Sequence, residues 1–335
     1  MWTSKARRNN RIREFLQYLI WGIGLMAATL GAAGAQAYPA KPVRMVVPFG
    51  PGGTPDLLAR AIGEKLSKNL GQPFIVDNRP GAGGNTGAAI VARADPDGYH
   101  MLMMPGSVVS INPSLYAQMP FDPAVAFAPV SLVADMPIVL VVNARNAAKD
   151  IDQFIQITRR ESDKPAFSSP GLGSTLHLTS ELFQRAAGIT IRHVPYKSGG
   201  EAVTAVLSGQ VAGTFTNLLL VHSHLKAGTL RALGVGSAAR MPQLPEVPTI
   251  AEAGLPGFEA TSWAGVMAPA RTPRPLVQQL SSQIAKVLRE PDVQTRFSEM
   301  GVRLVGNSPD EFADYMRKDR VKWAEIIRTA NIRLD

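Results

Sequence analysis

The chain contains no cysteine. This excludes a disulfide frame, a thiolate nucleophile, a thiolate metal site and a lipid anchored on an N-terminal cysteine. Other signatures are missing too. No lysine follows the glycine-rich turns, so the phosphate loop G-x-x-x-x-G-K-[ST] is absent. In "GAGGNTG" (81–87) the third glycine of a dinucleotide fingerprint falls one place late, and "GLGSTL" (171–176) lacks it altogether. There is no G-x-S-x-G, no H-E-x-x-H and no S-x-x-K at the start of a helix. Histidine occurs five times, at 100, 177, 193, 222 and 224. His222 and His224 have the spacing of half a metal site, but no acidic residue between Thr204 and Arg240 completes it. None of these patterns supports a bound metal, a cofactor or a catalytic site. Lone carboxylates cannot be paired from sequence, so a hydrolase lacks support without being excluded.

A strongly basic body is also missing once the N-terminus is set apart. Lys5, Arg7, Arg8, Arg11 and Arg13 form a basic head, and "FLQYLIWGIGLMAATLGAAGA" (15–35) follows almost without a polar residue. "AQA" (35–37) then fits a small-residue cleavage site. This order is that of a secretory signal peptide, residues 1–37, with cleavage near Ala37–Tyr38 and export to the periplasm. An uncleaved anchor is the alternative, because the run is just long enough to span a bilayer. Arg7-Arg8 is a weak twin-arginine hint, and the export route stays open. The leader holds five of the 35 Lys+Arg and one of the 26 Asp+Glu, so the remainder carries 30 − 25, or +5. That is far from a nucleic-acid footprint and suits the attraction of small anions.

Beyond residue 37, short apolar strands alternate with helical spacing. Strands are expected at 44–49, 73–78, 100–104, 138–143, 166–169, 191–196, 231–237 and 259–269. Helices are expected at about 55–69, 85–94, 151–160, 174–187, 200–208, 273–289 and 309–329. The methionines of "HMLMM" (100–104) read as core packing, as does the stripe of Phe312, Tyr315, Met316, Trp323, Ile326 and Ile327. The Pro-rich stretch 241–258 reads as a surface connection. Such alternation predicts an α/β protein of mainly parallel sheets flanked by helices. With 335 residues, 45% of them hydrophobic, two lobes are the simplest partition: 38–138 with 245–335, and 139–244. A cleft between lobes is where a ligand is expected.

Three glycine-rich turns, "PFGPGGTPD" (48–56), "NRPGAGGNTGAA" (78–89) and "SSPGLGSTLHL" (168–178), each lie between a strand and a helix. A helix start presents unpaired N–H groups and the positive end of the helix dipole, so it can hold an anion without a charged side chain. Thr54 suits the N-cap, Pro55 the first helical position, and Asp56 a first-turn carboxylate satisfying amides more than a ligand for a cation. In the third turn Ser174 or Thr175 can cap, and His177 in the first turn reads as a buried, hydrogen-bonded imidazole rather than a base.

The ordered segments "YPAKPVRMVVPFGPGGTPDLLAR", "GQPFIVDNRPGAGGNTGA", "PDGYHML", "INPSLY", "FAPVSLVA", "SSPGLGSTLHL", "HVPYK", "LKAGTLRALGV" and "LPEVPTIAEAGLPGFEATSWAGVMAP" resemble the Bug-type proteins. These are the extracytoplasmic solute receptors of tripartite tricarboxylate transporters, and the likeness runs from about 38 to 334. The resemblance implies a two-lobe periplasmic binding protein, type II-like, monomeric and non-catalytic. It would close on a small carboxylate and deliver it to an inner-membrane permease of a large and a small subunit. It further implies that main-chain amides and polar groups of both lobes hold the ligand. One lobe supplies Gly50, Gly52, Gly53, Thr54, Asp56, Gly84, Asn85, Thr86 and Ser107. The other supplies Ser168, Ser169, Gly173, Ser174, Thr175, His177, Tyr196 and Asn217. The chain departs from the family pattern Phe-Asp-Asn-x-x-Ser, reading "FTNLLL" (215–220) with Thr216 for Asp and Leu220 for Ser, and it has Ser198 where a glycine is usual. A less acidic, more apolar wall suggests a ligand with an apolar or aromatic distal part. Two other functions are weighed beside this one: a receptor feeding a signalling system, and a secreted hydrolase using Ser169 or His177.

Overall fold

The structure is a computed structural model that describes residues 38–160, 164–329 and 332. The expected signal peptide, 1–37, lies outside the described residues. The chain divides into two units, Met1–Ala40 and Lys41–Asp335. All the strands and helices named below belong to the second unit.

A single curled sheet, flanked by helices, organises this unit. Its strands are β1 (Val43–Val47), β2 (Phe74–Asn78), β3 (His100–Pro105), β4 (Phe127–Asn143), β5 (Ala166–Ser169), β6 (Arg192–Pro195), β7 (Gly213–Asn217), β8 (Leu230–Val235), β9 (Thr261–Pro269) and β10 (Arg303–Leu304). They run in the order β2-β1-β3-β9-β4-β7-β5-β6, with β8 and β10 also paired to β4. The parallel pairs are β1 with β2 and β3, and β5 with β6 and β7. All pairs made by β4, and that of β3 with β9, are antiparallel. Each half of the sheet is thus parallel in its outer part and antiparallel where it meets β4, less uniformly parallel than the alternation of elements suggested. Parallel neighbours need a crossover connection, usually a helix, whereas β4 runs through both halves and its neighbours pair with it antiparallel.

The long strand β4 joins the halves. Its register leaves β9 at Pro137, opposite Thr261, and enters β7 at Ile138, opposite Asn217. Sequence reading finds only its second part, 138–143. The first part carries Pro129 and Pro137, which argue against a central strand, and the register shift between Pro129 and Ser131 shows how one of them is accommodated. A return crossing lies near Ala260, whose N–H donates to the Gly236 carbonyl at 2.7 Å while the Gly236 N–H donates to that of Ile138 at 2.7 Å.

Ten α-helices pack on the sheet among the described residues: α1 (Thr54–Leu70), α2 (Asn85–Ala92), α3 (Asn112–Leu115), α4 (Ile151–Arg160), α5 (Thr175–Ala187), α6 (Gly199–Leu207), α7 (Leu218–Lys226), α8 (Arg274–Leu288), α9 (Pro291–Glu299) and α10 (Pro309–Thr329). A π-helical turn, Ser107–Ile111, precedes α3. Around the first half of the sheet, Val46, Leu102, Met104, Trp263, Met267 and Phe312 form one core, so the methionines of β3 are packing residues. Around the second half, Phe154, Phe167, Phe183, Phe215 and Phe258 build an aromatic core with ring centroids 5.4–6.5 Å apart, a spacing at which aromatic pairs attract. The Pro-rich segment 241–258 is not a mere surface connection. Its Ile250, Leu255 and Phe258 enter the aromatic core, and Met241, Leu244 and Val247 enter the cluster on the opposite face of the same half. Helix α10 buries Phe312, Trp323 and Ile327, with Tyr315, Met316 and Ile326 partly buried beside them.

Candidate functional site

Three helix starts converge on one cavity. The cavity measures about 60 Å³ and is lined by Gly53, Thr54 and Pro55 at the start of α1, by Ser174, Thr175 and Leu176 at the start of α5, and by Gly199 at the start of α6. First-turn N–H groups have no carbonyl within their own helix to bond, and the aligned peptide dipoles place roughly half a positive charge at each start. None of the cavity's lining side chains is ionisable. Its other walls are Phe49, Pro105, Met136, Pro170, Leu220, Trp263 and Ala264, with Ser107, Asn217 and Ser262 as further polar members. The arrangement can therefore hold an anionic group by main-chain and hydroxyl hydrogen bonds and seat an apolar group beside it.

Local chemistry explains how each helix start is set. The cap of α1 is Gly53, not Thr54: the first helical bond runs from the Leu57 N–H to the Gly53 carbonyl at 3.0 Å, and no side chain caps it. Thr54 is already helical, and its hydroxyl donates instead to Asn217 Oδ1 at 3.3 Å. Asp56 accepts from the Gly52 N–H at 3.0 Å and pairs with Arg60 at 3.0 Å. Burial alone would raise its carboxyl pKa, but the hydrogen bonds from Arg60 and Gly52 outweigh it and hold the pKa below the ordinary value. Ser174 caps α5 by accepting from the His177 N–H at 3.2 Å, and Ser198 caps α6 by accepting from the Glu201 N–H at 3.2 Å.

Behind the α5 start lies a polar stack, with Ser169 and His177 buried and His193 half-buried. Ser169 Oγ is 2.6 Å from His193 Nε2, the His193 ring lies on that of His177 at 3.9 Å, and His177 Nδ1 accepts from the Gly173 N–H at 3.3 Å. The acceptor role at Nδ1 puts the His177 proton on Nε2, facing Glu181 at 3.7 Å. Burial, with the neighbouring His193 as a lesser cause, lowers the His177 pKa to about 3, and burial lowers that of His193 to about 4. Both rings are neutral struts at pH 7. Ser169 is wholly buried and also bonded to Gly171, so its hydroxyl is not presented to a substrate.

Of the residues expected at the site, Gly53, Thr54, Ser107, Ser174, Thr175 and Asn217 meet at the cavity. The others do not line it, each for a definite reason. Gly50 packs against Lys197, donating its N–H to that carbonyl at 2.8 Å, and Gly52 and Asp56 satisfy one another. The Ser168 hydroxyl donates to the Ala202 carbonyl at 2.8 Å. Ser169, Gly173 and His177 belong to the stack behind the turn. Tyr196 turns outward, its hydroxyl 3.5 Å from Gln210. Gly84 packs under Phe49 and Val108, while Asn85 and Thr86 line a separate open depression with Arg93 and Tyr116. The third helix start in the cavity is thus that of α6, not that of α2. Its signal was present in "YKSGGE" (196–201), a Ser cap before two glycines. Ser262 and Trp263 gave no such signal, because they are brought in by β9 from far along the chain. Among the described residues there is no cluster of His, Asp and Glu able to hold a metal, and no helix long and apolar enough to cross a membrane.

Comparison with known proteins gives this geometry a context. Residues 58–332 match the model of the family described as "Tripartite tricarboxylate transporter family receptor". The chain is 37% identical to Protein BugT of Bordetella pertussis over 316 residues, 93% of this chain and 97% of that protein. Among solved structures, Rpa4515 of R. palustris with adipate superposes with a TM-score of 0.85 at 36% identity, covering 89% of this chain and all of that one. MatC from Rhodopseudomonas palustris with bound malate superposes with a TM-score of 0.83 at 30% identity, covering 87% of this chain and 100% of that one. The chain therefore belongs to the tripartite tricarboxylate transporter receptor family, whose members are periplasmic substrate-binding proteins and not enzymes.

Proposed function

We propose that the protein captures a small carboxylate with an apolar or aromatic distal part and delivers it to a two-component inner-membrane permease. The observation that carries this reading is the convergence of α1, α5 and α6 on one cavity free of ionisable side chains. A carboxylate at the helix starts would be met by N–H groups and by the hydroxyls of Ser107 and Thr175, since those of Thr54 and Ser174 donate to Asn217 and to the Gly171 carbonyl. Each charge-assisted hydrogen bond contributes about 1.5–3 kcal/mol, and a micromolar Kd needs about 8 kcal/mol net. Four to six such bonds, less the cost of closure, reach that range without an arginine. The adipate and malate held by the two relatives are of the same chemical class.

Capture would proceed by closure of two lobes, with β4 crossing at Pro137–Ile138. We place the second crossing near Ala260 rather than at 244–245, because 241–258 packs its apolar side chains into the second half. The filled, closed monomer is then the form the permease reads, since empty and filled states differ in their affinity for it. Export through the leader 1–37 would put it in the periplasm. A receptor that feeds a signalling system would use the same site, and uptake by permease-containing vesicles separates the two. The primary test is a thermal-shift screen of residues 38–335 against a panel of carboxylates. A binding acid raises the Tm by mass action, and a flat response across mono-, di- and tricarboxylates would sink the proposal.

A further inference from the structure

We propose that Trp263 is the surface on which the uncharged part of the ligand rests, and that Asp319 fixes the orientation of its ring from the far side. This rests on the carboxylate-capture reading and adds to it the element that selects the tail.

Trp263 lines the cavity, yet the residue is only 3% exposed. Its one polar atom, Nε1, donates to Asp319 Oδ2 of α10 at 2.7 Å. With that N–H engaged, what Trp263 offers the cavity is carbon. The ring is held on several sides. Phe312 and Tyr315 of α10 meet it edge-on, with centroids 5.5 and 5.8 Å away. Gly106 lies so close that a Cβ there would stand 2.5 Å from Nε1 and 2.6 Å from Cε2. Glycine at 106 is what lets the indole lie beside the turn that carries Ser107. The same helix also holds that turn, since Arg320 Nε donates to the Val109 carbonyl at 3.1 Å. One helix outside the cavity thus fixes two of its walls. Burial raises the Asp319 pKa, partly offset by Ser110 and by the hydrogen bond from Trp263. Met136 and Leu220 complete an apolar seat, so a flat or aliphatic tail would rest there while its carboxylate stays with the helix starts.

The test uses the full chain with acetate, hexanoate and benzoate as probes, and the variants Trp263→Ala, Asp319→Leu and Asp319→Asn. Calorimetry gives the three affinities. The indole N–H cross-peak of Trp263, identified by its loss in Trp263→Ala, gives the ring's environment. The unaltered chain should bind hexanoate and benzoate more tightly than acetate, and the cross-peak should move on adding benzoate. Asp319→Leu should shift the cross-peak and weaken both tailed acids roughly two- to tenfold, the size of an aromatic contact, while leaving acetate unchanged. Asp319→Asn, whose carbonyl can still accept the indole N–H, should restore most of that loss. An equal loss for all three acids together with a lowered Tm would make Asp319 a folding residue and overturn the proposal, as would a cross-peak unmoved at saturating benzoate. Binding without any preference for a tail removes this inference and leaves carboxylate capture standing. No binding of any of the three removes both.

Discussion

The imidazoles of His177 and His193 lie stacked, with centroids 3.9 Å apart and planes 29° from parallel, and both are neutral. Through them the Ser169–Gly173 turn is braced from behind. Burial disfavours a proton on either ring, and a charged His193 disfavours it further on His177. Their pKa values fall from 6.5 to about 3 and about 4, so the unfolded chain binds protons that the folded chain refuses. The stabilisation is complete above pH 6.5 and is lost as pH falls toward about 3. We expect the Tm to decline across that window, with ligand affinity declining beside it. His193→Gln and His177→Asn should flatten the slope, and an unchanged acid limb in both variants would show that other groups set it.

Asn217 ties the two halves of the sheet together. Its Nδ2 donates to Ser262 Oγ at 2.7 Å and its Oδ1 accepts from Thr54 Oγ1 at 3.3 Å. Asn217→Ala leaves both hydroxyls buried and short of a partner, at a cost of about 1–3 kcal/mol. We expect the Tm to fall by several degrees and carboxylate affinity to fall with it, because the lost bonds join α1 and β9 to β7 at the floor of the cavity. Thermal unfolding and calorimetry of the variant check both effects.

Leu220 closes the cavity over Gly199, where an added Cβ would stand 2.8 Å from Leu220 Cδ1. Leu220→Ser replaces the isobutyl group by a hydroxymethyl and removes apolar surface from the seat. At about 0.8 kcal/mol per buried methylene, binding of benzoate or hexanoate should weaken roughly tenfold. Acetate should be indifferent. Tighter binding of malate or another hydroxylated acid by this variant would further identify Leu220 as a selector.

Phe312 is fully buried beneath β9, and Gly265 leaves room for its ring: a Cβ at 265 would stand 2.2 Å from the ring's Cζ. Phe312→Ala should cost about 3–5 kcal/mol. Gly265→Ala should cost about 1–3 kcal/mol through overpacking. The ring also supports Trp263, so denaturant titration should show the stability loss and ligand titration a weaker preference for tailed acids.

Much of this molecule was legible in the sequence because its signals are local. Apolar runs bounded by glycine and proline marked eight strand positions, and the Ser174 cap marked the start of α5 where it stands. The family emerged from the order of motifs. The cavity was only partly legible. Glycine turns announce helix starts, and three starts do converge, but whether a given start faces the cleft depends on which strands neighbour one another. The order β9-β4-β7 carries Ser262 and Asn217 to within 2.7 Å across 45 residues of sequence, and it turns the α2 start toward a different depression. No local pattern encodes that order. The sequence by itself determined most of the strands and longer helices, the Ser174 cap and the kinship of the chain, while β7, the first part of β4 and the Gly53 cap of α1 came only with the structure. Tertiary structure alone decided which amides share a cavity, which polar side chains spend their hydrogen bonds on neighbours, and that Trp263, held by Asp319, forms a wall. These outcomes depend on contacts between residues far apart in the chain, and their cost and gain exist only once the sheet is assembled.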